Sequence, residues 1–223
     1  CPRAPPPKRI PMGGGLGGGS SDAAATLVAV NRLLELGLSQ AELVEQAGWL
    51  GSDVAFFLHG TWGVCRGRGE RVEPWLDPAI PVLPFVLLVP PIVLSTAAVY
   101  GALRAPAWPG EGGTPVPSLS QHDLFEPDAT RGSAGALRLR VAGLCNDLQA
   151  TARAVEPRLE QAFQATEAIP CLARMLTGSG AGIVFYVEED REQRRVANAL
   201  RTCDVGQVVL GHTLGAAQDS FTL

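Results

Sequence analysis

The sequence predicts a protein of helices and sheet, α+β or α/β, in two domains, and three observations carry that expectation. A glycine ribbon, P-M-G-G-G-L-G-G-G from Pro11 to Gly19, runs straight into an alanine-rich helix. A second capped helix and then a hairpin follow it, rather than a parallel strand. In the second half, strands and helices alternate, as a layer of sheet and helix requires. The boundary falls near Asp77–Pro81, which divides the chain into 1–79 and 80–223. A chain of 223 residues with 46% apolar content is long and apolar enough for such a core.

Taken in order, Cys1–Pro7 is proline-rich and irregular, and Lys8–Met12 reads as the end of a strand. From Ser21 to about Leu36 the pattern is helical, with Ala24, Leu27, Val28, Asn31 and Leu34 near one face, and Ser20, Ser21 or Asp22 available to cap it. Ser39-Gln40-Ala41-Glu42 forms a capping box for a helix that stops near Gly48. Gly51–Gly60 turns into a short apolar segment, and Thr61–Val72 reads as a strand and hairpin around Gly67 and Gly69. Val82–Val89 is a buried strand, and Ser95-Thr96 caps a helix through Leu103. Pro106–Gln121 is a loop by its Pro, Gly and Ser content. Helices are expected at Gly135–Val141, Asp147–Ala154 and Pro157–Thr166, the last with proline in its first turn. Arg174–Gly182 is a second glycine-rich loop, followed by a strand Ile183–Val187, a charged helix Asp190–Arg201 and a strand Gln207–Leu210.

Composition narrows the function classes. A net charge of −4 argues against a nucleic-acid surface, which needs a basic patch. Arg191, Arg194, Arg195 and Arg201 are interleaved with acids at helical spacing and read as a solvated face. Ile80–Leu94, the longest apolar stretch, is short and broken by four prolines, so it falls below the roughly 20 residues a membrane span needs. Cys1, Cys65, Cys145, Cys171 and Cys203 are scattered, with no CxxC pair, which suggests reduced thiols. His59, His122 and His212 are dispersed and read as structural; Trp49, Trp62, Trp75 and Trp108 read as core or rim. Asp123–Asp128 reads as a solvated acidic loop. Because the chain begins with Cys1, it reads as a fragment or processed product, and Lys8 is its only lysine.

The ribbon is the strongest chemical signal. A helix start carries unsatisfied N–H groups and the positive end of the dipole. Glycines before it let the backbone wrap a ligand closely, so the combination makes a phosphate site. A flexible linker is the plain alternative, but linkers seldom run directly into a capped amphipathic helix. A Walker A loop needs Gly-Lys-Ser/Thr, and Gly19 is followed by Ser20. Gly13, Gly15 and Gly18 satisfy GxGxxG, yet a Rossmann unit would place a strand after the first helix.

The string PxGGGLGGGSSDAA resembles the ATP loop of the GHMP kinase superfamily, which includes galactokinase, homoserine kinase and mevalonate kinase. Its triple glycines around Leu16 and its SSDAA ending are similar to the 4-diphosphocytidyl-2-C-methyl-D-erythritol kinases of non-mevalonate isoprenoid synthesis. Gly51-Ser52-Asp53-Val54-Ala55-Phe56-Phe57 resembles G-A-D-V-P-F-F, with Ser52 and Ala55 as departures. Asn146-Asp147-Leu148 resembles an N-D-L element, and Leu176-Thr177-Gly178-Ser179-Gly180 a C-terminal glycine motif. The resemblance implies a truncated, ribosomal-S5-like ATP-binding domain followed by a ferredoxin-like C-terminal domain. It also implies a preceding stretch, with a lysine-bearing strand and the cytidine contacts, that this sequence does not contain.

What the resemblance implies chemically is transfer of the γ-phosphoryl of ATP to the 2-hydroxyl of cytidine diphosphate methylerythritol. Pro11, Met12, Gly13, Gly14, Gly15, Leu16, Gly17, Gly18, Gly19, Ser20 and Ser21 would hold the phosphates, and Ser20 or Ser21 would reach Mg2+. Asp53 would accept or orient the hydroxyl proton. With a free pKa of about 3.9 it takes that proton only as charge develops. A helix cap is the plainer role for Asp53, and both roles are compatible. Gly178, Ser179 and Gly180 would approach the phosphates or substrate, or simply connect two strands. The expected partner is a small molecule, without nucleic acid or membrane, for a monomer or weak homodimer in a bacterial cytoplasm or plastid stroma. A non-catalytic nucleotide-binding remnant and another superfamily kinase such as homoserine kinase are the competing readings.

Overall fold

The structure, a computed structural model, describes residues 10, 13–60, 62–103, 124–127, 137–140 and 144–215. The expectations for Cys1–Pro7, for Lys8–Met12 apart from Ile10, for Pro106–Gln121, and for His122 and Trp108 lie outside these residues. The chain forms two compact units. One comprises Cys1–Gly18, Pro84–Pro106 and Cys145–Gly211; the other comprises Gly19–Leu83, Ala107–Leu144 and His212–Leu223.

The first unit is a βαββαβ layer. Its strands are β3 (Pro84–Val89), β6 (Ala173–Leu176), β7 (Ile183–Tyr186) and β8 (Gln207–His212). They lie in the order β6-β7-β3-β8, which in sequence order is 2-3-1-4, the split βαβ order of ferredoxin-like sheets. β7 pairs antiparallel with both neighbours, placing Val86 opposite Phe185 and Met175 opposite Val184. Helices α4 (Thr96–Ala102), α5 (Leu148–Val155), α6 (Pro157–Ala165) and α7 (Asp190–Cys203) supply the second layer. Val86, Leu88, Phe163, Phe185, Val196 and Leu200 belong to the buried core between them. Gln193 is buried on α7 because its amide serves the sheet: Nε2 donates to the carbonyls of Phe85 and Gly211 at 2.9 and 2.7 Å. Arg191, Arg194, Arg195 and Arg201 are exposed, as their spacing predicts.

The second unit holds α1 (Gly18–Leu33, from Gly19 onward), α2 (Gln40–Leu50) and α3 (Val54–His59). It also holds the hairpins β1 (Gly63–Arg66) with β2 (Arg71–Pro74), and β4 (Phe125–Pro127) with β5 (Leu137–Leu139). Ala24, Val28, Leu43, Ala47, Val54, Ala55 and Leu58 form its helical core. The capping box at Ser39 is present with both reciprocal hydrogen bonds. Asn31 closes the turn before it, donating to and accepting from the backbone of Leu38 at 3.0 Å each.

Four expectations are corrected. The first helix begins at Gly18 rather than Ser21 and ends at Leu33, so Ser20, Ser21 and Asp22 lie inside it instead of capping it. The ribbon breaks at Gly17, whose φ of +64° cannot belong to the helix, and helical geometry starts at the next residue. The helix expected over Gly135–Val141 is strand β5 where it is described. The period-two run Leu137-Arg138-Leu139-Arg140 explains it: Leu139 is buried while Arg138 and Arg140 are exposed and meet Glu126. The solvated acidic loop at Asp123–Asp128 is, over its described part, strand β4, with Phe125 1% exposed against Trp62 and Trp75. Trp49 is neither core nor rim but 83% exposed near the end of α2.

Candidate functional site

The ribbon at residues 13–18 adopts positive φ at alternate positions: +73° at Gly13, +65° at Gly15 and +64° at Gly17. Only glycine takes that conformation at no steric cost. The ribbon lies against the loop 177–182, which joins β6 to β7 in the same unit. The Ala181 N–H donates to the Gly13 carbonyl at 2.8 Å, and the Thr177 hydroxyl donates to the Gly14 carbonyl at 2.5 Å. A Cβ on Gly15 would overlap the Thr177 carbonyl, and one on Gly178 would sit 2.9 Å from the Gly15 carbonyl. Two backbones touch here, so neither position has room for a side chain. At Gly13 and Gly19, by contrast, a Cβ would meet nothing within 4 Å. The ribbon is thus packed against the loop at Gly15.

The captured carbonyls fix where the amides point. In a trans peptide the C=O and N–H face opposite ways. The Gly180–Ala181 bond is the one cis bond among the described residues, so the planes after Gly13 and Gly14 are trans. With both carbonyls turned into the loop, the N–H groups of Gly14 and Gly15 turn away from it. Successive amides on one side make a nest for an anion. The positive end of α1 follows at once. Such a cradle suits phosphate oxygens.

The second glycine loop is itself anchored. Asn146 Nδ2 donates to the carbonyls of Leu176 and Gly178 at 2.9 and 2.8 Å, while its Oδ1 accepts from the Leu148 N–H at 2.9 Å. Gln149 Oε1 accepts from the Leu176 N–H at 2.8 Å. The start of α5 thus holds the end of β6. Ser179 shares a 2.8 Å hydrogen bond with Thr96 at the start of α4. Leu176 and Ala181, each 1% exposed, root both sides of the loop in the core. The loop connects two strands and also backs the ribbon.

Asp53 lies in the other unit, at the start of α3. It occupies the cap position with φ −91° and ψ −6°, yet its side chain makes no capping hydrogen bond. Its carboxylate is exposed and is not committed to the helix it precedes. The β1–β2 turn closes nearby: a Cβ on Gly69 would sit 3.2 Å from the Ser52 carbonyl and 3.6 Å from Asp53 Oδ1. Cys65 on β1 feels the same carboxylate; desolvation first and the Asp53 charge second push its thiol up.

Gly13, Gly14, Gly15, Leu16, Gly17 and Gly18 thus gather with Gly178, Ser179 and Gly180 in one unit, while Gly19, Ser20, Ser21 and Asp53 belong to the other. Pro11 and Met12 lie outside the described residues. The residues that build the site but escaped a role from sequence are Thr177, Asn146 and Gln149. The available signal was a hydroxyl directly before a glycine turn, and an Asx residue at a helix start. Among the described residues, no three His, Cys, Asp or Glu gather as a metal group, and no helix is long and apolar enough to cross a membrane.

Comparison with known proteins gives a consistent answer. Residues 7–61 match the family described as GHMP kinases N terminal domain. A 4-diphosphocytidyl-2-C-methyl-D-erythritol kinase of Salinispora tropica is 40% identical over 200 residues, covering 89% of this chain and 61% of that protein. Its counterpart in Caulobacter sp. strain K31 is 44% identical over 195 residues, covering 86% and 62%. The chain therefore spans about three fifths of the length of these relatives. A crystal structure of 4-(cytidine 5'-diphospho)-2C-methyl-D-erythritol kinase superposes with a TM-score of 0.69 at 32% identity, covering 94% of this chain and 69% of that one. A homoserine kinase from Cytophaga hutchinsonii shares the fold, with a TM-score of 0.63 at 17% identity, 95% of this chain and 69% of that one. With residues 7–61 matching the N-terminal domain model and 32% identity to a kinase of which it covers 69%, the chain belongs to the GHMP kinase family.

Proposed function

We propose that this chain carries the phosphate-binding and acceptor-activating parts of an ATP-dependent kinase acting on the 2-hydroxyl of 4-diphosphocytidyl-2-C-methyl-D-erythritol. The observation that supports the reading is the ribbon's orientation: the loop 177–182 captures the carbonyls of Gly13 and Gly14, so the N–H groups of Gly14 and Gly15 turn away from it. Phosphoryl transfer asks mainly for alignment and charge neutralisation, which backbone amides and a helix dipole supply. Residues 11–21 hold the phosphates. The exposed Asp53 carboxylate takes or orients the proton of the acceptor hydroxyl as its oxygen bonds to the γ-phosphorus and the β–γ bridging oxygen departs with ADP. Oxygen donors at Ser20 or Ser21 suit a hard cation. When bound, Mg2+ neutralises phosphate charge. The substrate is named by the relatives at 40 and 44% identity, and their bacterial sources favour the cytoplasm over a plastid.

The test is ATP consumption with the cytidylyl substrate, for the parent chain and Asp53→Asn. Loss of a general base lowers kcat by roughly 10²–10⁴-fold. We expect a fall in that range with the KM for ATP nearly unchanged. An Asn variant at parental rate removes Asp53 from the chemistry. Turnover with homoserine instead would move the substrate, and tight binding of an ATP analogue without turnover on any acceptor would make the chain a nucleotide-binding remnant.

A further inference from the structure

We infer that Thr177 is a positioning residue for the nucleotide ribbon: its hydroxyl sets the orientation of the Gly14–Gly15 peptide and thereby aims the Gly15 N–H at the ligand. This rests on the reading of the ribbon as a phosphate cradle. Glycine-rich backbone has no intrinsic preference between the two faces of a peptide plane, since positive and negative φ cost it much the same. Something outside the ribbon must choose. For the plane after Gly13, the choice is made by a backbone amide, that of Ala181, which any residue would supply. For the plane after Gly14, it is made by one side chain, the Thr177 hydroxyl, 163 residues away in sequence. That hydroxyl also lies 3.0 Å from the Gly182 carbonyl, so its single proton serves the ribbon at the shorter contact and its own hairpin at the longer.

Thr177 can do this because its backbone is fixed twice. Its N–H donates to the Gly182 carbonyl at 2.9 Å, and its carbonyl accepts from the Gly180 N–H at 2.8 Å. Asn146 then clamps the carbonyls on either side of it, at Leu176 and Gly178. The hydroxyl is presented from a braced turn to a chain that has no brace of its own. Freed from it, the Gly14–Gly15 plane can rotate, which would turn a carbonyl rather than an amide toward the phosphates.

The experiment compares the full chain with Thr177→Val, which keeps the shape and removes the donor, and Thr177→Ser, which restores the donor. Each is titrated by calorimetry with a non-hydrolysable ATP analogue and, separately, with adenosine. Loss of one hydrogen bond of ordinary strength corresponds to about a tenfold change in affinity. We expect Thr177→Val to bind the ATP analogue about tenfold more weakly with adenosine unchanged, and Thr177→Ser to bind within about twofold of the parent. Equal analogue affinity in parent and Thr177→Val, or parallel loss for adenosine, overturns the positioning role while leaving the cradle intact. A parent chain that binds no ATP analogue overturns both. Should the valine variant unfold, Thr177→Ala, smaller and free of overpacking, carries the same comparison.

Discussion

The two units are stabilised by different means. The sheet unit closes around large side chains: Phe163, Phe185, Leu88, Leu159 and Ile183 are at most 2% exposed. The helical core of the other unit is built from Ala24, Val28, Leu43, Ala47, Val54, Ala55 and Leu58, with no aromatic among its buried members. That unit also leaves Leu33, Leu34, Leu36, Trp49 and Leu50 more than half exposed. Besides Phe125, packed against Trp62 and Trp75, it relies on local devices such as the Ser39 capping box and the Asn31–Leu38 turn. The difference teaches where a glycine ribbon must dock. A ribbon without side chains cannot stiffen itself, and its backing loop sits in the unit with the deeper core, rooted by Leu176 and Ala181.

The largest expected effect tests that contrast directly. Phe185→Ala empties the centre of the sheet unit and should cost about 3–5 kcal/mol, by urea unfolding. Leu43→Ala, at 5% exposure in the helical core, should fall at the low end of the leucine range, about 2–3 kcal/mol. Equal costs would break the comparison. The next effect concerns the docked ribbon. Gly15→Ala combines a left-handed φ, worth about 1–2 kcal/mol, with a methyl group against the Thr177 carbonyl. It should weaken binding of an ATP analogue at least as much as Thr177→Val does. Gly19→Ala sharpens the picture because two readouts move in opposite directions. Its position is helical and unobstructed, so stability should rise by up to about 1 kcal/mol. On the proposed reading residue 19 belongs to the phosphate-holding stretch, so the new methyl should lower affinity for the analogue. A stabilised variant with parental affinity would place the ligand elsewhere.

Much of this was legible in the sequence because it is written in local chemistry. The capping box at Ser39, Ser95 before α4, Pro157 opening α6 and the hairpin about Gly67 and Gly69 each follow from a few adjacent residues. The glycine ribbon was legible for the same reason. Its curvature was not, since that depends on Thr177 and Ala181, far along the chain. The start of α1 was missed because helix propensity disfavours glycine, while the structure lets Gly18 and Gly19 fill the first turn directly after the break at Gly17. Strand β5 was missed although Leu137-Arg138-Leu139-Arg140 alternates with period two, because a run of four residues is too short to settle the assignment without the pairing with β4.

The smallest effect belongs to the cap on which the helical unit leans. Ser39→Ala removes the hydroxyl that accepts from the Glu42 N–H and should cost about 0.5–1 kcal/mol at this exposed site. It also changes a titration. The Glu42 carboxylate accepts from the Ser39 backbone N–H at 2.8 Å and from its hydroxyl at 2.7 Å, and these bonds hold its pKa below the ordinary glutamate value, the backbone bond more strongly. A carboxyl depressed in the folded state stabilises the fold above its unfolded pKa, about 4.3, and that contribution is lost as pH falls through the folded value. Alanine at residue 39 keeps the backbone N–H and loses only the hydroxyl. Glu42 should therefore move part of the way back toward an ordinary glutamate in a carbon-detected NMR titration, and the stability lost through its protonation should be smaller than in the parent and complete at a higher pH. A full return to the ordinary value would mean that the hydroxyl, and not the main chain, holds the carboxylate. An unchanged value would mean that the backbone bond alone sets it, and the cap would then stabilise α2 without contributing to its acid sensitivity.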